Sequence, residues 1–304
     1  MRVGITGGTG TVGTHVAAML VNNGHQVTIL SRNTPTGNTK PGYTYALWNA
    51  EKQQCDTNAL QQLDAVIHLA GEPVAGKRWS AAQKEKIASS RVIGTRFLVD
   101  QLRQHAPNCK TMIAASAIGF YGPDAAPPVP FTEEAPAHND FLGTICQQWE
   151  AEEHKADDFM RTVIIRIGLV MATEAGAFKE FVTPLSLGVM PILGSGRQVA
   201  SWIHITDLAR LMLFALDNSN MRGPYNAVAP HPVSNKELMK TVARIKGGFH
   251  IPAPAPSFLL QLMLGEMSIE VLKSCTVSAA KTLGTGFSFT YPDIGSAVKE
   301  LLKK

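Results

Sequence analysis

A chain of 304 residues with 45% apolar and 17% charged side chains has the composition of a globular chain with a large core, and not of a disordered or fibrous one. Its net charge is only +4, and its 28 lysines and arginines are scattered with no basic run, so no nucleic-acid partner is expected. The four cysteines, Cys55, Cys109, Cys146 and Cys275, form no C-x-x-C, and the nine histidines show no H-x-x-x-H, so neither a disulfide framework nor a metal site is expected.

The apolar run Val3-Gly4-Ile5 leads straight into Gly7-Gly8-Thr9-Gly10-Thr11-Val12-Gly13. A buried strand that ends in closely spaced glycines and is followed by a helix places bare main chain and free N–H groups against a phosphate. Val12, Val16, Met19 and Leu20 continue at helical spacing to a stop at Asn23-Gly24, and Gln26–Leu30 reads as a second strand. This strand-turn-helix-strand unit is the setting that turns a glycine motif into a dinucleotide site. Gly7, Thr9, Gly10, Thr11, Val12 and Gly13 are its candidate cofactor contacts.

The tip of the second strand selects the nucleotide. An NAD site places an acid there, about 20 residues past the glycines, to hold the ribose 2′-hydroxyl. Here the tip is Ser31-Arg32-Asn33, and no carboxylate lies between Gly13 and Glu51. The Arg32 fork matches a 2′-phosphate, with Ser31 beside it, so NADP(H) is the expected cofactor. A charge pair there is worth up to about 4 kcal/mol before screening, enough to separate the two nucleotides.

Ala65–Ala70 reads as a strand covered on both faces and ends at Gly71. A capping box at Ser80 and Gln83 opens a long helix through Ile87, Phe97 and Leu102. Thr111–Ser116 is the next strand, a helix follows around Thr144 to Phe159, and Val163–Ile167 is a further strand. Alternation of this kind predicts an α/β fold, a Rossmann-type doubly wound parallel sheet with a smaller C-terminal α/β substrate portion. Leu69, Ala70, Gly71, Ser116 and Arg166 then fall at strand ends, on the ligand side.

We place the cofactor domain at residues 1–170, with later strands such as 200–204 able to join it. The substrate portion and a helical tail take 171–304. Features there include Trp202-Ile203-His204, a helix opened by Thr206-Asp207, a strand near Tyr225–Val228 and a capping box at Ser234 and Glu237. Pro252, Pro254 and Pro256 read as a stiff connector. Phe258–Leu264 is too short to span a bilayer and reads as a core or interface helix. With the first strand beginning at Arg2, a cytoplasmic protein with no membrane association is expected, as a monomer or homodimer.

The chain resembles the extended short-chain dehydrogenase/reductases in Thr6–Gly13, Leu69-Ala70-Gly71, Arg166-Ile167-Gly168 and Trp202–Asp207. More narrowly it is similar to the atypical group called epimerase family proteins. That likeness lies in Gly71-Glu72-Pro73, Arg78-Trp79, Ser116–Gly122, Gly194–Gln198 and the tail segments Leu264–Met267 and Gly286–Pro292. The resemblance covers essentially the whole chain. It implies an NADP(H)-dependent oxidoreductase or epimerase acting on a small polar or nucleotide-sugar substrate, with Glu72, Arg197 and Trp202 on the substrate side.

The superfamily's Tyr-x-x-x-Lys pair is missing. Four residues after each of the five tyrosines stand Leu47, Asn49, Ala125, Ala229 and Gly295. Aligned on Trp149-Glu150, the pair's positions hold Leu142 and Cys146. Ser116 matches the superfamily's carbonyl-polarising serine or, alternatively, bonds its own turn. Tyr121 is nominated as proton donor, with a packed loop aromatic as its equal alternative. The missing pair also admits a catalytically impaired NADP(H)-binding sensor or scaffold.

Overall fold

The computed structural model describes residues 1–34, 41–174 and 176–303. The first half alternates as the sequence reading expects: β1 (Arg2–Thr6), α1 (Thr11–Asn22), β2 (Gln26–Ser31), β3 (Tyr43–Asn49), β4 (Gln54–Cys55), α2 (Thr57–Gln61), β5 (Ala65–His68), α3 (Ala81–His105), β6 (Thr111–Ala117), α4 (Phe141–His154) and β7 (Arg161–Ile167). The second half is more broken. It comprises β8 (Leu169–Met171), α5 (Ala177–Leu185), β9 (Val189–Leu193), β10 (Val199–Ala200), β11 (Trp202–His204), α6 (Ile205–Asp217), β12 (Gly223–Ala227), β13 (Val233–Ser234), α7 (Asn235–Lys246), β14 (Ile251–Ala255), α8 (Ser257–Leu264), α9 (Ser268–Leu272), α10 (Ala280–Gly284) and α11 (Ile294–Leu301).

Eight strands form one sheet in the order β12-β7-β6-β5-β1-β2-β3-β4, parallel except for the short β4. The order reverses direction between β1 and β5, and a crevice opens there above the strand ends. Both sheet faces are covered. Val3, Ile5, Val163 and Ile165 pack under α1 and α6, while Val66, Met112 and Ala114 pack under α3. At both anticipated capping boxes the N-cap half forms, with Gln83 N–H donating to Ser80 Oγ at 3.2 Å and Glu237 N–H to Ser234 Oγ at 3.2 Å, but the return bond does not: the Gln83 side chain donates to Glu72 and Ser80 N–H to the Arg78 carbonyl.

Several expectations need correction. The strand that joins the sheet from beyond residue 170 is β12, which pairs with β7. Residues 202–204 instead pair with β8 in a separate two-stranded unit. A boundary at 170 therefore cuts through the sheet. Pro252 and Pro254 lie in β14, paired with β9, where alternate residues have no need of an N–H donor. α8 is no core helix: only Leu260 is buried, while Phe258, Leu262 and Met263 face outward. α6 begins at Ile205, capped by His204, whose Nδ1 accepts from Thr206 N–H at 3.1 Å.

Candidate cofactor site

Bare main chain builds the turn after β1. Gly7 sits at φ +69°, and a Cβ there would come within 2.8 Å of the Leu69 carbonyl carbon. Gly13 is tighter still, since an added Cβ would lie 2.2 Å from the Gly7 carbonyl oxygen, so α1 reaches β1 only with glycine at this position. Gly10 N–H donates to the Gly7 carbonyl at 3.0 Å, and Thr14 N–H to the Gly10 carbonyl at 2.9 Å, which closes the turn and starts the helix. The first turn of α1 carries no acidic residue, so its own side chains leave the positive end of the helix dipole free for an anion.

A buried chain of side chains fixes the neighbouring strand end against this turn. Thr6 Oγ1 accepts from Leu69 N–H at 3.2 Å and Ala70 N–H at 3.3 Å and lies 2.6 Å from His68 Nδ1. With two bonds accepted, its own proton goes to Nδ1. The ring proton is thereby assigned to Nε2, which donates to Thr95 Oγ1 on α3 at 2.9 Å. Burial of His68, reinforced by the charge of Arg91, holds its pKa down to about 4, so the ring is neutral.

Above these elements lies a cleft of about 970 Å³. Gly7, Thr9 and Gly10 form its floor, Ser31, Arg32 and Asn33 one rim, and Leu69, Ala70, Gly71 and Glu72 the opposite wall. Ser31 Oγ donates to the Asn33 carbonyl at 2.6 Å and shapes the turn that presents Arg32, which is exposed. Glu72 Oε1 accepts from Gln83 Nε2 at 3.2 Å and Lys77 Nζ at 3.4 Å. Those two bonds outweigh desolvation and draw its carboxyl below the usual range. Thr11 and Val12 begin α1 but, like Gly13, lie outside the cleft lining; Gly13 serves helix packing.

Sequence reading missed the wall formed by Trp48, Asn49, Ala50 and Glu51 at the end of β3, and Ser89, Ser90, Ile93 and Gly94 on α3. The signal for β3 was present in the alternation of Thr44, Ala46 and Trp48 with Tyr43, Tyr45 and Leu47. α3 runs beside the end of β3 at Gly94, where an added Cβ would meet that of Ala50 at 3.7 Å, an ordinary contact.

Other nominated residues do not reach the cleft. Arg166 points into the protein, where Nε and Nη2 clasp the two Glu150 oxygens at 2.9 and 2.8 Å and Nη1 donates to Tyr121 Oη at 2.8 Å. It is a structural cation here, not a cofactor contact. Ser116, also buried, donates to Glu150 Oε1 at 2.6 Å. Tyr121 is wholly enclosed, stacked on Phe131 and donating to Asn226 Oδ1 at 2.8 Å. Burial pushes its hydroxyl up to about 12 despite Arg166, which is poorly matched to proton transfer at neutral pH. The packed-aromatic alternative is the one that fits. Trp202 is also buried, donating through Nε1 to the His231 carbonyl at 3.0 Å, and so has no face for a substrate. Arg197 is exposed on the β9–β10 turn, away from the cleft.

The family model described as NAD dependent epimerase/dehydratase family matches residues 3–228, and a second, a domain of unknown function (DUF1731), matches 255–301. The chain belongs to the NAD dependent epimerase/dehydratase family. Across 99% of its length it is 38% identical to the epimerase family protein YfhF of Bacillus subtilis, covering 98% of that protein. A crystal structure of human epimerase family protein SDR39U1 (isoform 2) with NADPH superposes with a TM-score of 0.85 at 29% identity, covering 99% of each chain. A nucleoside-diphosphate sugar epimerase from Corynebacterium glutamicum gives 0.77 at 33% identity, covering 99% of this chain and 58% of that one.

Leu142 and Cys146, which the sequence reading aligns with the Tyr-x-x-x-Lys positions, both sit in apolar packing. Leu142 joins Trp79, Ile145, Val74 and Met267 in a small apolar cluster. Cys146 is buried, and desolvation, with the Glu150 charge, pushes its thiol up to about 12. Neither position offers a proton or a charge at neutral pH.

Proposed function

We propose that the chain binds NADP(H) and acts as an atypical oxidoreductase or epimerase of the extended short-chain type on a small polar substrate, a nucleotide sugar being the leading class. The observation that carries this reading is the cleft itself. A glycine floor that excludes Cβ atoms, an unopposed helix N-terminus and an exposed Arg32 at the rim together suit a diphosphate at one point and a 2′-phosphate at another. The NADPH of the human relative and the sugar-nucleotide epimerase among the similar structures support the same assignment. When bound, the nicotinamide supplies hydride transfer; Gly7, Gly10 and the Leu69–Gly71 main chain would hold and orient it.

A second reading, a binding protein that senses NADP(H) without turnover, is favoured by one finding: Ser116 and Tyr121 are both committed to internal hydrogen bonds. Calorimetric titration with NADPH and NADH tests the shared premise, and incubation with carbonyl compounds and nucleotide sugars separates the two readings. Arg32→Asp is expected to weaken NADPH by at least about tenfold, roughly 1.4 kcal/mol, while changing NADH far less. Equal losses would remove the 2′-phosphate assignment.

A further inference from the structure

The last turns of α4 carry three glutamates, and two of them are answered by cations. Glu150 holds Arg166 and accepts from Ser116, while Glu152 takes Arg96 Nη2 and Lys155 Nζ, each at 2.6 Å. Glu153 is answered by nothing. Its exposure is 0%, and neither carboxyl oxygen has a hydrogen-bond partner among the described residues. Trp149, one turn earlier on the same face of the helix, leaves its indole Nε1 buried and unpartnered as well.

The cations packed against α4 are all engaged elsewhere. From α3, Lys84 pairs with Glu266, Arg91 lies over the Trp149 ring with Nη1 on the Glu72 and Ile87 carbonyls, Arg96 holds Glu152, and Arg103 holds Asp158 and the Lys155 carbonyl. From β7, Arg166 is clasped by Glu150, and Arg161 turns to the opposite sheet face, to the Ala215 and Leu216 carbonyls at the end of α6. β6 and the Ile118–Phe120 turn contribute no charge, and on α4 itself His154 pairs with the exposed Asp157. Cys146, Tyr121 and Asp100 of α3 bring no positive charge either.

An ionised carboxylate so enclosed, with no donor and with the Glu150 charge one turn away, is far costlier than the neutral acid, so the folded chain keeps the proton. Desolvation first, and Glu150 second, raise this carboxyl well above the ordinary 4.5. Once α4 opens, water reaches the group and the proton leaves near that ordinary value. Closed α4 therefore holds a proton that opened α4 gives up to water. Rising pH favours the opened form from the ordinary value upward, until the raised one is passed.

We propose that Glu153 is a proton-operated latch: protonated, it lets the C-terminal turns of α4 close on β6 and β7, and deprotonation loosens them. Loosening reaches Glu150 and, through it, Arg166, Ser116 and Tyr121. None of these groups lines the cleft, so the latch is independent of the cofactor reading.

The test compares amide hydrogen exchange over Phe141–His154 in wild-type protein and in Glu153→Gln, which keeps the shape of the protonated acid and never ionises. The ratio of the two proteins at each pH cancels the intrinsic pH dependence of exchange. Between pH 5.5 and pH 8.5 the wild-type-to-variant ratio should rise at least about tenfold in α4, with no such rise in α1. A ratio that stays level in α4, or that rises equally in α1, overturns the proposal. Should the variant fail to fold, infrared spectra of Glu270→Gln protein decide, Glu270 being the other glutamate whose carboxyl burial raises. The carbonyl stretch of a protonated acid at pH 7 upholds the latch, and its absence overturns it.

Discussion

Tyr121 shows how one side chain's direction changes its meaning. Its hydroxyl donates to Asn226 and accepts from Arg166, which in turn holds Glu150, and Glu133 Oε1 accepts from Asn226 N–H at 2.7 Å. Removing the hydroxyl leaves Asn226 Oδ1 and an Arg166 donor unpartnered in the interior. Tyr121→Phe is therefore expected to cost about 1–3 kcal/mol of stability in urea unfolding, with NADPH affinity unchanged. Unaltered stability would contradict the network. The sequence placed Ser116 and Arg166 near strand ends, correctly, and Tyr121 in the loop beyond, but could not show which way the three point. That depends on Glu150 and Asn226, 16 and 105 positions away from their respective partners Arg166 and Tyr121.

Among elements, the β1–β5 junction with α3 positions the cleft, and His68 ties all three. The neutral ring has a folded pKa of about 4, below the ordinary histidine value of 6.5. Between those values the unfolded chain binds the proton and the folded chain does not, so the contribution is fully present above pH 6.5 and is lost as pH falls toward 4. At about 1.4 kcal/mol per unit, roughly 2 kcal/mol is gone by pH 5. Unfolding free energies measured from pH 7 to 4.5 should fall more steeply for the wild type than for His68→Gln, and parallel curves would refute the linkage. The glycine turn was legible from its spacing, β2 from its place after the Asn23-Gly24 stop, and β1, β5, β6 and β7 because burial on both faces writes a largely apolar run. β3 was not, because it is only half covered and its signal is a weaker alternation.

At the scale of the molecule, the C-terminal tail is part of the core. Phe287 packs in the cluster under α1 and α6, and Ala297 and Val298 pack with α7. Buried Asp207 accepts from Thr290 and Tyr291 N–H, each at 2.8 Å. A chain truncated after Pro254 is expected to lose cooperative thermal unfolding, followed by circular dichroism, since it opens two cores and strands a buried carboxylate. A sharp transition near the full-length one would show the tail to be dispensable. Sequence spacing could not reveal this, because the tail's partners precede it by about 80 residues, as loop closure freely allows.

Burial of the thiols has a practical corollary. Cys109, Cys146 and Cys275 are shut away and raised to about 12, while Cys55 is only half covered. Thiolate is the reactive species, so an alkylating reagent at neutral pH modifies these three only when their surroundings breathe. Because Cys109 packs in the cluster under α3 while Cys146 and Cys275 share the cluster around Phe120 and Tyr121, the order in which they are labelled maps which part of the molecule opens first, and a ligand that clamps the molecule shut would register as a slowed clock.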